Sequence, residues 1–208
     1  MLLDNKTQGK VGEVLGASIH RNARLSVLSS LFSIYGYAAL RDQLATIATI
    51  RLLFPTTVPA ANDKPNKTFR VSGLAGSDAD RRRRNALTMA KIARECAQWL
   101  HSKADIKTVA SPVPQNLFHV VNGNGDAVAI HGSSPFTSSG LGVAPSPGYE
   151  MNTCFTTPTE TSSLLNWFES IWTNQEVARD VKAAVLAQLE ELYADKSPEL
   201  VYFLTLYN

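Results

Sequence analysis

Hydrophobic positions change period several times along the chain, and each change marks an element. Val11, Val14, Leu15 and Ile19 recur at helical spacing behind Thr7, which reads as the helix cap. Arg24 to Ser30 reads as a buried strand, Tyr35 to Leu44 as a short helix, and Thr49 to Phe54 as a second strand ended by Pro55. Arg81 to Lys103 is amphipathic, with Leu87, Ile92, Cys96, Trp99 and Leu100 near helical period. Strand patterns follow at Ile106 to Ala110, Leu117 to Val121, Ala127 to His131 and Met151 to Phe155. Asn122-Gly123-Asn124-Gly125 has hairpin-turn chemistry, because Asn and Gly accept positive φ, so the strands on either side of it should pair antiparallel. Helical patterns close the chain at Ser162 to Trp172, Glu176 to Tyr193 and Glu199 to Asn208, with Trp167, Phe168 and Trp172 as core.

This alternation predicts an α/β fold: a mixed β-sheet flanked by helices, with a helical C-terminal segment. The division is an α/β unit over residues 1–160 and C-terminal helices over 161–208 packing on it. Thr56 to Asp80 holds Pro59, Pro65, Gly73 and Gly76 with few large apolar residues, and reads as a mobile loop or insertion.

Composition narrows the function classes only a little. With 208 residues, 44% of them hydrophobic and 18% charged, the chain can form one substantial core. A formal net charge of +2 is too small to announce a nucleic-acid protein, so any such binding must come from local patches. Cys96 and Cys154 stand in no metal-ligand spacing and read as reduced core residues of a cytoplasmic protein; no metal site is expected. No run of about 18 apolar residues and no signal-peptide pattern is present, so no membrane association is expected.

The densest candidate chemistry lies where the strand Ala127-Val128-Ala129-Ile130 breaks into His131-Gly132-Ser133-Ser134-Pro135-Phe136-Thr137-Ser138-Ser139-Gly140-Leu141. Small side chains let backbone N–H groups and hydroxyls converge on an anion, which makes Ser133, Ser134, Thr137 and His131 candidate phosphate contacts. The same hydroxyls can instead cap a turn.

This segment resembles the second half of the phospholipase D superfamily signature, in which a strand ends in Gly-Ser-Ser-Asn followed by Thr and Gly-Leu. Pro135 stands where that signature has Asn. The first half is a His-x-Lys followed by an Asp. His119 and Asp126 match it, but Val121 replaces the lysine; a second register puts Pro114 and Asn116 at the His and Lys positions. The stretch from Gly142 to Asn152, with Glu150-Met151-Asn152, resembles a narrower group in which such a domain precedes a bacterial Swi/Snf-type ATP-dependent helicase. Leu3 to Val11, Leu25 to Ser30, Tyr35-Gly36-Tyr37 and Ile50 to Phe54 resemble it as well.

The resemblance implies a histidine nucleophile, with lysine and Ser/Asn groups holding the phosphoryl oxygens. His119, Asp126 and Glu150 are then the catalytic candidates, Glu150 as the group that orients a histidine. Losing one stabilising donor of this kind costs roughly a hundredfold to a thousandfold in rate, so a degenerate, accessory domain is expected. The alternative is a dimeric phosphodiesterase or nuclease of the same superfamily. No Gly-x-x-x-x-Gly-Lys-Ser/Thr loop is present, so no cofactor is expected here. ATP and Mg²⁺ would belong to a helicase motor beyond the apolar C-terminal segment. Arg81, Arg82, Arg83 and Arg84 open a helix whose macrodipole they oppose, and they are the candidate nucleic-acid contacts, to DNA before RNA. A homodimer is expected from the resemblance alone.

Overall fold

The computed structural model describes residues 1–55, 69–77, 80, 86–110, 113–146 and 148–194. Among the described residues, eight strands form one mixed sheet in the order β1-β7-β6-β5-β2-β3-β4-β8. They are β1 Leu2–Leu3, β2 Arg24–Leu28, β3 Thr49–Pro55, β4 Ala104–Val109, β5 Asn116–Val121, β6 Ala127–Gly132, β7 Asn152–Phe155 and β8 Ala178–Asp180. β2, β3 and β4 run parallel, and every other neighbouring pair is antiparallel. Among the described residues the helices are α1 Val11–Ser18, α2 Ile34–Ala39, α3 Arg41–Thr46, α4 Ala86–Lys103, α5 Pro158–Trp172 and α6 Lys182–Glu191.

Side chains alternate across a strand, so each strand feeds two layers. Leu25, Val27, Ile50, Leu52, Ile106, Phe118, Val120 and Ile130 face the larger core, which also takes buried residues from α1, α2, α3, α4 and α6. Leu28, Leu53, Val109, Leu117 and Ala129 face the other way and pack on Phe168 and Trp172 of α5. Within α5, Phe168 and Trp172 are buried as expected, whereas Trp167 is exposed.

Several local expectations change. Thr7 does not cap α1: it bonds to the Asp4 carboxylate, which also accepts the N–H groups of Lys6 and Gln8. The first N–H of α1, that of Val11, goes instead to Asn5 Oδ1 at 2.9 Å, a partner outside the helix. The expected helix over Tyr35 to Leu44 is two short helices that break at Leu40, where φ −119° and ψ 14° leave the helical region. The Glu176 to Tyr193 pattern opens as strand β8, whose pairing with β4 overrides its helical propensity. The Asn122 to Gly125 turn does join β5 antiparallel to β6. Most of the expected 56–80 loop, and the segment from Glu199 to Asn208, lie outside the described residues.

Candidate functional site

The strand ends that carry the Ser-rich turn are organised by one row of residues. Asn116 of β5 pairs with Gly132 of β6, Gly132 with Asn152 of β7, and Asn152 with Leu3 of β1. Directly paired residues share a face, so both asparagines point to the larger-core side with a glycine between them. A Cβ at Gly132 would lie 2.3 Å from Met151 O and 2.6 Å from Asn152 Oδ1. The glycine is therefore what lets the Asn152 side chain reach across to the turn.

That reach fixes Ser134. Asn152 Oδ1 accepts the Ser134 N–H at 3.0 Å, and Asn152 Nδ2 donates to Ser134 Oγ at 2.8 Å and to Leu3 O. Asn5 Nδ2 donates to the same Oγ at 3.1 Å and to Gly140 O at 2.8 Å. Asn5 sits at φ 60°, a left-handed conformation that asparagine tolerates. Ser134 is fully buried, and with two amide donors on its oxygen it turns its own hydrogen to Glu150 Oε2, 3.3 Å away. Ser133 Oγ accepts from Met151 N at 3.0 Å and donates to the same Glu150 oxygen at 2.5 Å. The two serine hydroxyls thus converge on one carboxylate oxygen.

Asn116 closes the other side. Its Oδ1 accepts from Ser30 N and Oγ, and its Nδ2 donates to Ser133 O at 2.8 Å. It is a structural clasp, uncharged, at the strand position nearest the turn.

Beside Glu150 lies a cleft of about 320 Å³, lined also by Asp4, Asn5, Lys6, Ser139 and Ser146. The Asp4 carboxyl is held down at about 2, chiefly by the backbone N–H groups of Gln8 and Lys6. Lys6 Nζ makes no ion pair among the described residues and rests 4.1 Å from the centre of the Tyr149 ring, itself 94% exposed.

The remaining candidates lie elsewhere. Thr137 caps its own turn, accepting from Gly140 N at 3.0 Å, while its neighbour Ser138 donates to Asp80 Oδ1. His131 is half-buried and pairs with Leu117 and Thr153, on the α5 face of the sheet. His119 is on that face too, buried under α5 with Nε2 3.0 Å from Thr161 O. Its Nδ1 has no hydrogen-bond partner among the described residues, and burial pushes its pKa down. Next to it Arg51 bonds Ser26 Oγ and pairs with Glu169 at 2.7 Å, over the Phe168 and Trp172 rings.

Asp126 sits exposed in the β5–β6 hairpin, bonded to Asn124, at the far end of β6 from the serines, about 20 Å along the strand. His119, Asp126 and Glu150 are therefore not brought together; of the three, only Glu150 meets the Ser-rich turn. Of the two registers, strand pairing puts the one ending at Asn116 beside Gly132, while His119 lies three residues down β5, about 10 Å away. Arg81 to Arg84 lie outside the described residues.

Asn5, Lys6, Asn116 and Asn152 make or line the site, and the sequence reading assigned none of them a role in it. The signal was faint: Asn5, Lys6 and Asn152 lie inside stretches that carry the resemblance, and Asn116 stands at the lysine position only in the second of the two registers that the resemblance allows. Both thiols, Cys96 and Cys154, are buried, which raises their pKa and keeps them out of this chemistry. Among the described residues no helix is long and apolar enough to cross a membrane, and no three His, Cys, Asp or Glu side chains are grouped to hold a metal.

No protein-family model and no curated protein matches the chain. Among solved structures it is similar to a variant of yeast tyrosyl-DNA phosphodiesterase, at 14% identity and a TM-score of 0.40, over 77% of this chain and 33% of that one. It is also similar to phosphatidylserine synthase of Haemophilus influenzae, at 11% identity and a TM-score of 0.47, over 93% of this chain and 43% of that one. The chain thus spans less than half the length of either.

Proposed function

We propose that this chain is a phospholipase-D-like accessory domain that does not cleave phosphodiesters and that contributes nucleic-acid binding, DNA before RNA, to a Swi/Snf-type ATP-dependent helicase. The carrying observation is the split between the two sheet faces. Asn116, Gly132 and Asn152 point to one side, while His119 and His131 point to the other, under or beside α5. A nucleophile must approach its phosphorus within about 3–3.5 Å, and neither strand histidine, His119 nor His131, shares a face with the Ser-rich turn. The nearest position on β5 holds a neutral asparagine already committed to four groups. This weighs against the second reading, a dimeric phosphodiesterase.

Support for binding comes from Lys6, unpaired by any described carboxylate, beside the exposed Tyr149. A cation neutralises backbone phosphate and releases counterions, and an exposed ring offers a stacking face. Arg81 to Arg84 would add to the same electrostatics.

Fluorescence anisotropy of labelled single-stranded and duplex DNA tests the reading, at low and moderate salt, with the quadruple change of Arg81, Arg82, Arg83 and Arg84 to Ala as comparison. The expected result is salt-sensitive binding, weakened in the variant, with the DNA intact on a gel. Cleavage that disappears in His119→Ala or His131→Ala would transfer the reading to the phosphodiesterase. No binding at low salt would remove nucleic acid as the partner.

A further inference from the structure

We infer that the position now held by Glu150 Oε2 is a seat for a phosphate oxygen, and that Glu150 acts as a built-in competitor that must leave before a phosphate group can bind. The inference rests on the phosphate-binding reading of this site and adds how the site is controlled.

The hydrogen-bond directions carry it. Ser134 Oγ receives two amide donors, from Asn5 and Asn152, so its single hydrogen is left to point outward. Ser133 Oγ receives the Met151 N–H, so its hydrogen points outward too. Both meet at Glu150 Oε2, at 3.3 and 2.5 Å. A hydroxyl that accepts from an N–H is polarised into a stronger donor, and two such donors aimed at one point suit a charged oxygen.

The seat is buried on one side and open to solvent on the other. Ser134 is fully buried and held through Asn152, while Glu150 is only partly buried and follows the Gly142 to Gly148 loop. Glu150 opens onto the cleft where Lys6 stands with no carboxylate partner among the described residues, and where the ionised Asp4 is already taken by the N–H groups of Lys6, Thr7 and Gln8, so an entering anion would find one cation there and the outgoing carboxylate has solvent to enter. With Glu150 in place a phosphate would meet a like charge and no free hydroxyl hydrogen. Displacing a charge-assisted pair of hydrogen bonds costs roughly a tenfold to hundredfold loss of affinity.

The test titrates inorganic phosphate into wild type, Glu150→Ala and Glu150→Gln, following the Gly132, Ser133 and Ser134 amides by NMR, with the DNA anisotropy assay run in parallel. Glu150→Ala empties the seat and should bind phosphate roughly tenfold to a hundredfold tighter than wild type. Glu150→Gln keeps an acceptor oxygen without the charge and should fall between the two. Thermal melting of each variant confirms that it is folded, and Glu150→Gln alone serves if Glu150→Ala is not. Phosphate affinity no higher in the folded variants than in wild type overturns the competitor role. If wild type binds DNA all the same, the accessory nucleic-acid reading stands without it. If instead no variant binds DNA but Glu150→Ala gains phosphate, the seat is upheld and nucleic acid is not its source.

Discussion

The His119 imidazole donates through Nε2 to the carbonyl oxygen of Thr161, 3.0 Å away in the first turn of α5. A carbonyl only accepts, so Nε2 carries the proton and Nδ1 is a buried lone pair with no partner among the described residues. The sequence offered this histidine as the nucleophile; the fold uses it to tie α5 to the sheet, beside the Arg51–Glu169 pair.

A pH dependence follows. Burial, more than the neighbouring Arg51 charge, lowers the folded-state pKa of His119 below its ordinary 6.5. The unfolded chain then takes up this proton first as pH falls, so the stabilisation is complete above about pH 6.5 and declines below it, down to the folded pKa. Urea unfolding between pH 5 and pH 8 should show this slope, and His119→Leu should flatten it. An unchanged slope in that variant would assign the effect to other groups.

His119→Ala removes a buried ring and its hydrogen bond to the Thr161 carbonyl. The expected cost is about 2–4 kcal/mol of stability by urea unfolding. DNA affinity of the folded fraction should be unchanged, because the ring lies on the face away from the Ser-rich turn.

Gly132→Ala forces a methyl into the Met151 carbonyl and the Asn152 side chain. Overpacking of this kind costs about 1–3 kcal/mol, and here it also pushes Asn152 off Ser134. Gly123→Ala is the matched control: a Cβ there meets nothing within 4 Å, so its effect should stay within about 0.5 kcal/mol. Thermal melts of the two variants check the contrast.

Arg51→Met removes both the guanidinium that lies over Phe168 and Trp172 and the charge beside Glu169. Both partners are partly exposed, which screens the pair, so a double-mutant cycle with Glu169→Gln should return a coupling of about 1 kcal/mol. A coupling near zero would mean that stacking, and not the ion pair, anchors Arg51.

Asn152→Ala takes away the acceptor for the buried Ser134 N–H and the donor to Ser134 Oγ. Leaving a buried amide unpaired costs about 1–3 kcal/mol. Because Ser134 then loses its fixed orientation, the Glu150→Ala gain in phosphate affinity should shrink when the two changes are combined.

Period and turn chemistry determined much of this protein. The alternation of Leu25, Val27 and Leu28, of Ile50, Leu52 and Leu53, and the Asn-Gly turn at 122–125 specify strands and one hairpin, because strand side chains alternate and only certain residues accept the turn. The helical spacing of Ile92, Cys96, Trp99 and Leu100 specified α4 in the same way. Small residues after β6 marked where the site would be. Spacing even held the opposition of His119 to Asn116, since residues three apart on a strand face opposite ways. Tertiary structure alone decided which face mattered. The pairing of Gly132 with both Asn116 and Asn152 depends on register between strands far apart in the chain, and register is set by the packing of whole faces and not by any local pattern. The same holds for Asn5, which reaches Ser134 across 129 positions of sequence. A polar residue in a loop carries no mark of the distant hydroxyl it will bind, so the residues that finish the site became visible only once the sheet had brought its two ends together.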